Sequence, residues 1–143
     1  MNESAKSYDG MAREISPAKG KLGVLLPGMG AVSSTLIAGV QLVNAGHSQP
    51  IGSVTQMSRI RLGKRDNAHD PFIKEFVPLS SLNDLVFGGW DIYADNCYQA
   101  ALACGVIHKQ ELEPIRKQLE EIKPWPAVFD SAFVKNLSGP NVK

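Results

Sequence analysis

The chain has 143 residues, 43% of them hydrophobic and 20% charged, with a formal net charge of +1. This length and composition suit one globular domain with a hydrophobic core. A nearly neutral chain has no general attraction for nucleic acid or for an anionic membrane. Its apolar runs are also far shorter than the ~20 residues of a membrane helix. We therefore expect neither a nucleic-acid partner nor a membrane partner.

The first 20 residues, MNESAKSYDGMAREISPAKG, are polar and mixed in charge. They contain neither the apolar stretch of a secretory signal nor the Arg-rich, acid-free composition of a transit peptide. We expect a polar tail over residues 1–20 and one domain over residues 21–143. Cys97 and Cys104 are seven apart in a predicted helix, which is too far for a disulfide, so we expect two core cysteines in a reducing cytoplasm.

The first half of the chain predicts a strand, a helix and a second strand. Leu22 to Leu26 has no polar alternation, which is typical of a strand buried on both faces of a parallel sheet. A helix is predicted from Val32 to Ala45, with Gly46 as its C′ residue. Residues 51–57, IGSVTQM, are rich in β-formers and predict a strand, whereas residues 58–71 have no regular pattern.

The second half predicts a third strand at Leu85 to Phe87, followed by two helices in residues 93–105 and 108–124. No later strand is predicted. Three strands with flanking helices indicate an α/β fold, an incomplete Rossmann-like doubly wound parallel sheet. Because so small a sheet leaves an unpaired edge, we expect the chain to be the front part of a larger protein.

The turn between the first strand and the first helix reads PGMGAVSS, a G-x-G-x-x-G pattern with Ser33 in place of the third glycine. Gly28 permits a sharp turn, and Gly30 lets a backbone approach a pyrophosphate closely. The helix that follows directs free N–H groups at such an anion, and the hydroxyls of Ser33 and Ser34 could bind phosphate or cap the helix. A tight turn without a ligand is the alternative interpretation.

A ribose-binding acid normally ends the second strand of such folds, but GSVTQM has no carboxylate. Asp91 is the best substitute, because it leaves the predicted third strand at the same edge of the sheet. The alternative role for Asp91 is a helix cap. For the neighbouring Trp90, core packing is the better interpretation.

Three stretches, LGVLLPGMGAVSSTLIAGV, PIGSVTQMSRIRLGKR and LVFGGWDIY, resemble the N-terminal region of bacterial myo-inositol-1-phosphate synthases, also called inositol-3-phosphate synthases. IKPWPAVFDSAFVKNLSGPNVK resembles the segment that follows in that family. The resemblance implies a homotetrameric, NAD-dependent isomerase of inositol and phospholipid biosynthesis that converts glucose 6-phosphate into inositol 3-phosphate. In that family NAD oxidises C5, an aldol step closes the ring, and the returned hydride leaves no net redox change.

The resemblance also implies the cofactor-binding residues, which are Gly28, Met29, Gly30, Ala31, Val32, Ser33 and Asp91. It places the catalytic residues of the family beyond residue 143. We therefore assign no catalytic residue and expect the chain alone to be inactive. Two alternatives stay open: a fragment of another NAD(P)-dependent oxidoreductase, and a non-catalytic nucleotide-binding module.

A basic cluster, Arg59, Arg61, Lys64 and Arg65, follows the predicted second strand. It could bind the 2′-phosphate of NADP, a substrate phosphate or a neighbouring subunit, or it could be a solvated loop balanced by nearby acids. The resemblance favours NAD. The three histidines are too scattered along the chain to predict a metal site.

Overall fold

A computed structural model describes residues 16–17, 19–130 and 132–143, so the predicted tail lies largely outside the described residues. In this part of the chain, no helix is long and apolar enough to cross a membrane. The regular elements are β1 Leu22–Pro27, α1 Ala31–Asn44, α2 Val54–Met57, α3 Ile73–Phe76, β2 Leu85–Asp91, α4 Cys97–Cys104, α5 Lys109–Leu112, α6 Arg116–Glu121 and β3 Trp125–Pro126. Two 3₁₀ turns, Leu82–Asp84 and Glu113–Ile115, precede β2 and α6.

The three strands form one parallel sheet in the order β1-β2-β3. β2 is central: Leu22 pairs with Leu85 at one end of β1, and Pro27 pairs with Trp90 at the other. Trp90 also pairs with Trp125 of β3. The carboxyl ends of all three strands therefore meet at one edge of the sheet.

The predicted strand at residues 51–57 is wrong. Residues 51–52 form a turn, and Val54–Met57 form the short helix α2, in which the Met57 N–H donates to Ser53 O at 3.0 Å. Ile51 is 81% exposed. β-Forming residues become a strand only where a neighbouring strand pairs with them, and among the described residues neither β1 nor another strand pairs with residues 51–57.

The stretch predicted as irregular, residues 58–71, contains a short hairpin. Two antiparallel bridges join Arg59 to Phe72 and Leu62 to His69. The Arg59 guanidinium lies 4.0 Å from the centre of the Phe72 ring, a cation–π contact across the first bridge. The basic cluster therefore lies within a hairpin rather than in an unstructured loop.

The sheet differs from the prediction in two ways: β2 is longer than predicted, and a further strand, β3, follows the last helix. β2 continues through Gly88 and Gly89 to Asp91, four residues beyond the predicted end. β3, which the sequence analysis did not predict, follows the last helix and consists of Trp125 and Pro126. A proline is tolerated there because β3 is an edge strand.

The two faces of the sheet are unlike. The covered face, formed by Val24, Leu26, Phe87 and Gly89, lies under the helices, and Leu26 and Phe87 pack against the buried core. Alternation along the strands turns Leu25, Val86, Gly88 and Trp90 to the opposite side, here called the open face. The core itself comprises Met29, Ile37, Ala38, Cys97, Tyr98, Ala101, Leu112, Ile115 and Leu119.

Local signals for the helix ends agree with the structure. The C-cap of α1 is Ala45, and Gly46 after it has a φ of +76°. α4 begins one residue after Asn96, whose side chain accepts from the Gln99 N–H while Gln99 returns a hydrogen bond. Gly105 ends α4 in the left-handed conformation. Both cysteines are free, but only Cys97 is buried, so the expectation that Cys104 is a core residue is wrong.

Candidate functional site

The turn between β1 and α1 is held by two hydrogen bonds. The Gly28 N–H donates to Trp90 O of the neighbouring strand at 2.8 Å, and the Ser33 hydroxyl donates to Gly28 O at 2.6 Å. Gly28 has a φ of +105°, a conformation that side-chain-bearing residues rarely adopt. The chain therefore leaves β1 sharply and enters α1 within four residues.

The start of α1 presents unpaired N–H groups. The first backbone bond of the helix runs from the Ser34 N–H to Gly30 O at 3.0 Å, so the N–H groups of Ala31, Val32 and Ser33 have no partner within the helix. No side chain caps this end, and its first turn contains no acidic residue. The partial positive charge of the helix end is thus available to an anion.

The space over Gly30 is open. A Cβ added to Gly30 would have no heavy atom within 4 Å, apart from its immediate chain neighbours. Gly30 has ordinary extended angles, with φ −73° and ψ −152°. Neither the backbone angles nor the packing of the protein therefore requires glycine at this position. A ligand that approaches the backbone closely would require it, because a side chain would occupy the same space.

The Asp91 carboxylate lies against the turn. Its Oδ2 accepts the Met29 N–H at 2.6 Å, and its Oδ1 accepts the Tyr93 N–H at 3.0 Å. The side chain is half-buried. Because a carboxylate has about four acceptor positions, two remain for a hydroxyl group. Asp91 does not cap α4, since Asn96 does so.

A cavity of about 710 Å³ opens at the carboxyl ends of the strands. This volume is within the range of small-molecule sites, and ligands of open α/β sheets bind at this edge. Gly28 and Asp91 contribute the walls near the turn. The full lining is Pro27, Gly28, Trp90, Asp91, Ile92, Ala127, Val128, Phe129 and Leu137.

The other predicted binding residues lie around this cavity in different ways. The Met29 side chain is buried in the core, so only its backbone belongs to the turn. Gly30, Ala31, Val32 and Ser33 begin α1 next to the cavity but are not part of its lining.

Ser34 and the basic cluster contribute no side chain to this cavity. Ser34 is fully buried and donates to Ala31 O at 3.3 Å, so its hydroxyl neither reaches a ligand nor caps the helix. The basic cluster does not line the cavity. Among the described residues, the nearby acids Asp66 and Asp70 form no ion pair with it.

The described residues contain no group of three His, Cys, Asp or Glu side chains placed to hold a metal ion. The groups with displaced pKa values lie in the helical layer instead. Burial raises the pKa of Cys97 from 9.0 to about 11. The pKa of Tyr98 is also raised, chiefly because its hydroxyl donates to Glu113 Oε1 at 2.7 Å. Neither residue lines the cavity.

The far wall of the cavity was not predicted from the sequence. Ala127, Val128 and Phe129 follow the missed strand β3, and Leu137 belongs to the C-terminal stretch. Asn141 closes this wall by hydrogen bonds to both β2 and β3. No local pattern marks these residues, because their role depends on the pairing of a two-residue strand.

The arrangement suits a dinucleotide. Unpaired N–H groups and an open glycine are suited to a diphosphate, a carboxylate with free lone pairs to a ribose hydroxyl, and an apolar cavity to flat rings. The residues present therefore fit NAD. Hydride transfer is the chemistry that NAD supplies when it is bound.

Comparisons with known proteins agree with this fit. The NAD-binding family model described as myo-inositol-1-phosphate synthase matches residues 22–143. Inositol-3-phosphate synthase 1 of Bacteroides thetaiotaomicron is 46% identical over 134 residues, which cover 93% of this chain and 30% of that protein. Inositol-3-phosphate synthase isozyme 1 of Arabidopsis thaliana is 36% identical and is covered to 26% of its length.

A solved structure has the same fold. The crystal structure of inositol-3-phosphate synthase from Caenorhabditis elegans superposes with a TM-score of 0.70 at 29% identity, over 87% of this chain and 28% of that one. The chain thus spans less than a third of the length of these relatives. Since the family model matches nearly all of the described residues, the chain belongs to the myo-inositol-1-phosphate synthase family and carries NAD-binding sequence of that family.

Proposed function

We propose that the protein containing this chain converts glucose 6-phosphate into inositol 3-phosphate, and that this chain holds the NAD. The observation that carries the proposal is the open start of α1 beside the Asp91 carboxylate, at the mouth of an apolar cavity. Bound NAD would supply reversible hydride transfer, taking a hydride from the sugar and returning it to the cyclised product.

In this proposal the residues of the turn have distinct roles. The backbone N–H groups of Gly30, Ala31, Val32 and Ser33 bind the pyrophosphate, because they lie at the positive end of α1 and lack partners within it. Gly28 and Met29 form the bend that exposes them. Asp91 accepts a hydroxyl of the ribose with the lone pairs that the two backbone bonds leave free.

The cavity wall gives the cofactor an apolar surface. Trp90, Ile92, Val128 and Phe129 surround the space beyond Asp91. Such side chains pack on a flat ring and exclude water from it. We assign no group that acts on the sugar, so the chain alone is proposed to bind NAD without turning over glucose 6-phosphate.

The assembly and the location are proposals of the same kind. The whole protein is proposed to be a homotetramer, as the family resemblance implies. A reducing cytoplasm is proposed because Cys97 and Cys104 are both free thiols.

The sharpest test of the NAD site is Gly30→Ala. The added methyl group meets no protein atom within 4 Å, and the backbone angles suit alanine, so the fold should be unaffected. The methyl group occupies the space proposed for the pyrophosphate. We expect NAD affinity, measured by isothermal titration calorimetry, to fall at least about tenfold, which corresponds to ~1.4 kcal/mol.

Gly39→Ala is the matched control, because Gly39 lies within the same helix and its Cβ position is also unobstructed. This variant should bind NAD like the unchanged chain and unfold at a slightly higher temperature, since alanine favours a helix interior by about 0.5–1 kcal/mol. Unchanged NAD binding by the Gly30 variant would show that the turn is not the cofactor site.

The reaction itself is tested with the full-length protein and glucose 6-phosphate deuterated at C5. The proposed isomerase retains the deuterium in its product and accumulates no NADH, because the hydride removed is also the hydride returned. Another NAD(P)-dependent oxidoreductase would accumulate reduced cofactor. A non-catalytic nucleotide-binding module would bind NAD and leave the sugar unchanged.

A further inference from the structure

Asn141 joins the ends of two strands beneath the cavity. Its side-chain NH₂ group faces three backbone carbonyls: Asp91 O at 3.0 Å, Tyr93 O at 3.4 Å and Trp125 O at 3.5 Å. Carbonyl oxygens only accept hydrogen bonds, so the donor nitrogen must be the atom that faces them. One side chain thus bridges the carboxyl ends of β2 and β3.

The backbone of Asn141 is used in the same way. Its N–H donates to Ile92 O at 2.8 Å, and its carbonyl accepts the Ala127 N–H at 2.9 Å. Val142 and Ala127 form a parallel bridge, and the Lys143 N–H donates to Ala127 O at 2.9 Å. The last three residues therefore lie between the two strand ends like a short inserted strand.

The groups that Asn141 holds are those of the proposed NAD site. Asp91 carries the carboxylate that accepts the Met29 N–H at the β1–α1 turn. Ile92 and Ala127, which bond to the Asn141 backbone, both line the cavity. A change at Asn141 would therefore alter the direction of the Asp91 carboxylate and the backbone positions of these two lining residues.

We propose that Asn141 is a positioning residue of the cofactor site, which fixes the backbone at Asp91 so that its carboxylate meets both the turn and the ribose. This inference rests on the proposed NAD function. It adds a residue that touches no part of the proposed ligand. It also assigns a role to a C-terminal stretch that the sequence analysis treated as a loop.

The test is Asn141→Asp, which keeps the size of the side chain but replaces the donor NH₂ with an acceptor that faces three carbonyls. We expect NAD affinity to fall about tenfold. In the cofactor-free chain, the Met29 amide proton should move upfield, because its short bond to the Asp91 carboxylate lengthens. Two-dimensional NMR reports the second effect without any ligand.

Asn136→Asp is the control, because it makes the same change at an exposed position of the same segment. It should leave the Met29 resonance and NAD affinity unchanged. If the Asn141→Asp variant does not fold, Asn141→Ala, which removes the donor without adding charge, decides the question by the same two measurements.

A lower urea midpoint with an unchanged Met29 resonance and unchanged NAD affinity would overturn the proposal, since Asn141 would then be only structural. Failure of the unchanged chain to bind NAD would instead refute the proposed function. In that case the Met29 resonance still determines whether Asn141 positions Asp91.

Discussion

The two faces of the sheet have similar apolar compositions but very different surroundings. On the covered face, Leu26 and Phe87 pack against the core that α1, α4 and α6 enclose. On the open face, Leu25 is 60% exposed and Val86 is 51% exposed. An apolar strand sequence thus indicates that both faces of the strand suit burial, whereas the helices packed against the sheet determine which face is buried.

The glycines of β2 show what each face demands. A Cβ on Gly89, on the covered face, would collide with the Leu26 carbonyl oxygen and approach the Met29 sulfur. A Cβ on Gly88, on the open face, would meet the ring of Trp125 at 2.8 Å. The Leu26 backbone cannot move away from an added methyl group, because it is paired within the sheet. The Trp125 ring lies at an exposed surface and can move away. Alanine substitutions at Gly88 and Gly89 therefore test whether the two faces differ in packing.

The largest effect is expected for Gly89→Ala. The methyl group must displace either the β1 backbone or the buried Met29 side chain, and overpacking of this kind typically costs 1–3 kcal/mol. We expect the urea unfolding free energy to fall by about 3 kcal/mol. Because Met29 also belongs to the turn, NAD affinity should fall as well. Wild-type stability in this variant would mean that the covered face is not tightly packed.

Gly88→Ala should have a smaller effect. The Trp125 ring, which is 48% exposed, can swing away from the new methyl group at a cost of roughly 1 kcal/mol or less. The same urea titration measures it, and Trp fluorescence reports the ring movement, since the centres of the Trp90 and Trp125 rings are 5.2 Å apart. Equal losses for Gly88→Ala and Gly89→Ala would contradict the distinction between the faces.

The last effect is absent at neutral pH and appears only at alkaline pH; it concerns Cys97, which is fully buried beneath the covered face. Burial raises its pKa from 9.0 to about 11, so above pH 9 the unfolded chain ionises this thiol while the folded chain does not. The neutral Cys97 thiol therefore contributes fully to the free energy of unfolding below pH 9, and this contribution is lost as the pH rises from 9 through 11. Cys97→Ala should therefore flatten the decline of stability between pH 9 and 11.

Cys104→Ser provides the control for this pH dependence, because Cys104 is exposed at the other end of the same helix. Urea titrations at several pH values should give the Cys104 variant the same alkaline decline as the unchanged chain. A decline of the same size in the Cys97 variant would mean that other groups, such as Tyr98 with its raised pKa, account for it.

Local signals in the sequence were sufficient for β1, α1 and α4. Their residues indicate the element through an unbroken apolar run or helical spacing, and Gly46 and Gly105 with positive φ mark the ends of the two helices. Only the start of α4, at Cys97, lies later than the predicted helix of residues 93–105. The same signals located the turn at Gly28 and placed Asp91 at the edge of the sheet where the turn lies. Each of these features depends on neighbours within a few residues, or on the rule that parallel strands end together.

What the tertiary structure decided depends on contacts between distant residues. Residues 51–57 have the composition of a strand, but Val54–Met57 form α2, and no strand in the described part of the chain pairs with them. Trp125 and Pro126 have no local strand pattern but form β3, because β2 offers free backbone groups beside them. Asn141 closes the site through hydrogen bonds to residues up to 50 positions away. Side-chain chemistry along the chain thus determined the turn of the proposed cofactor site, whereas backbone pairing between distant residues determined the far wall of the cavity.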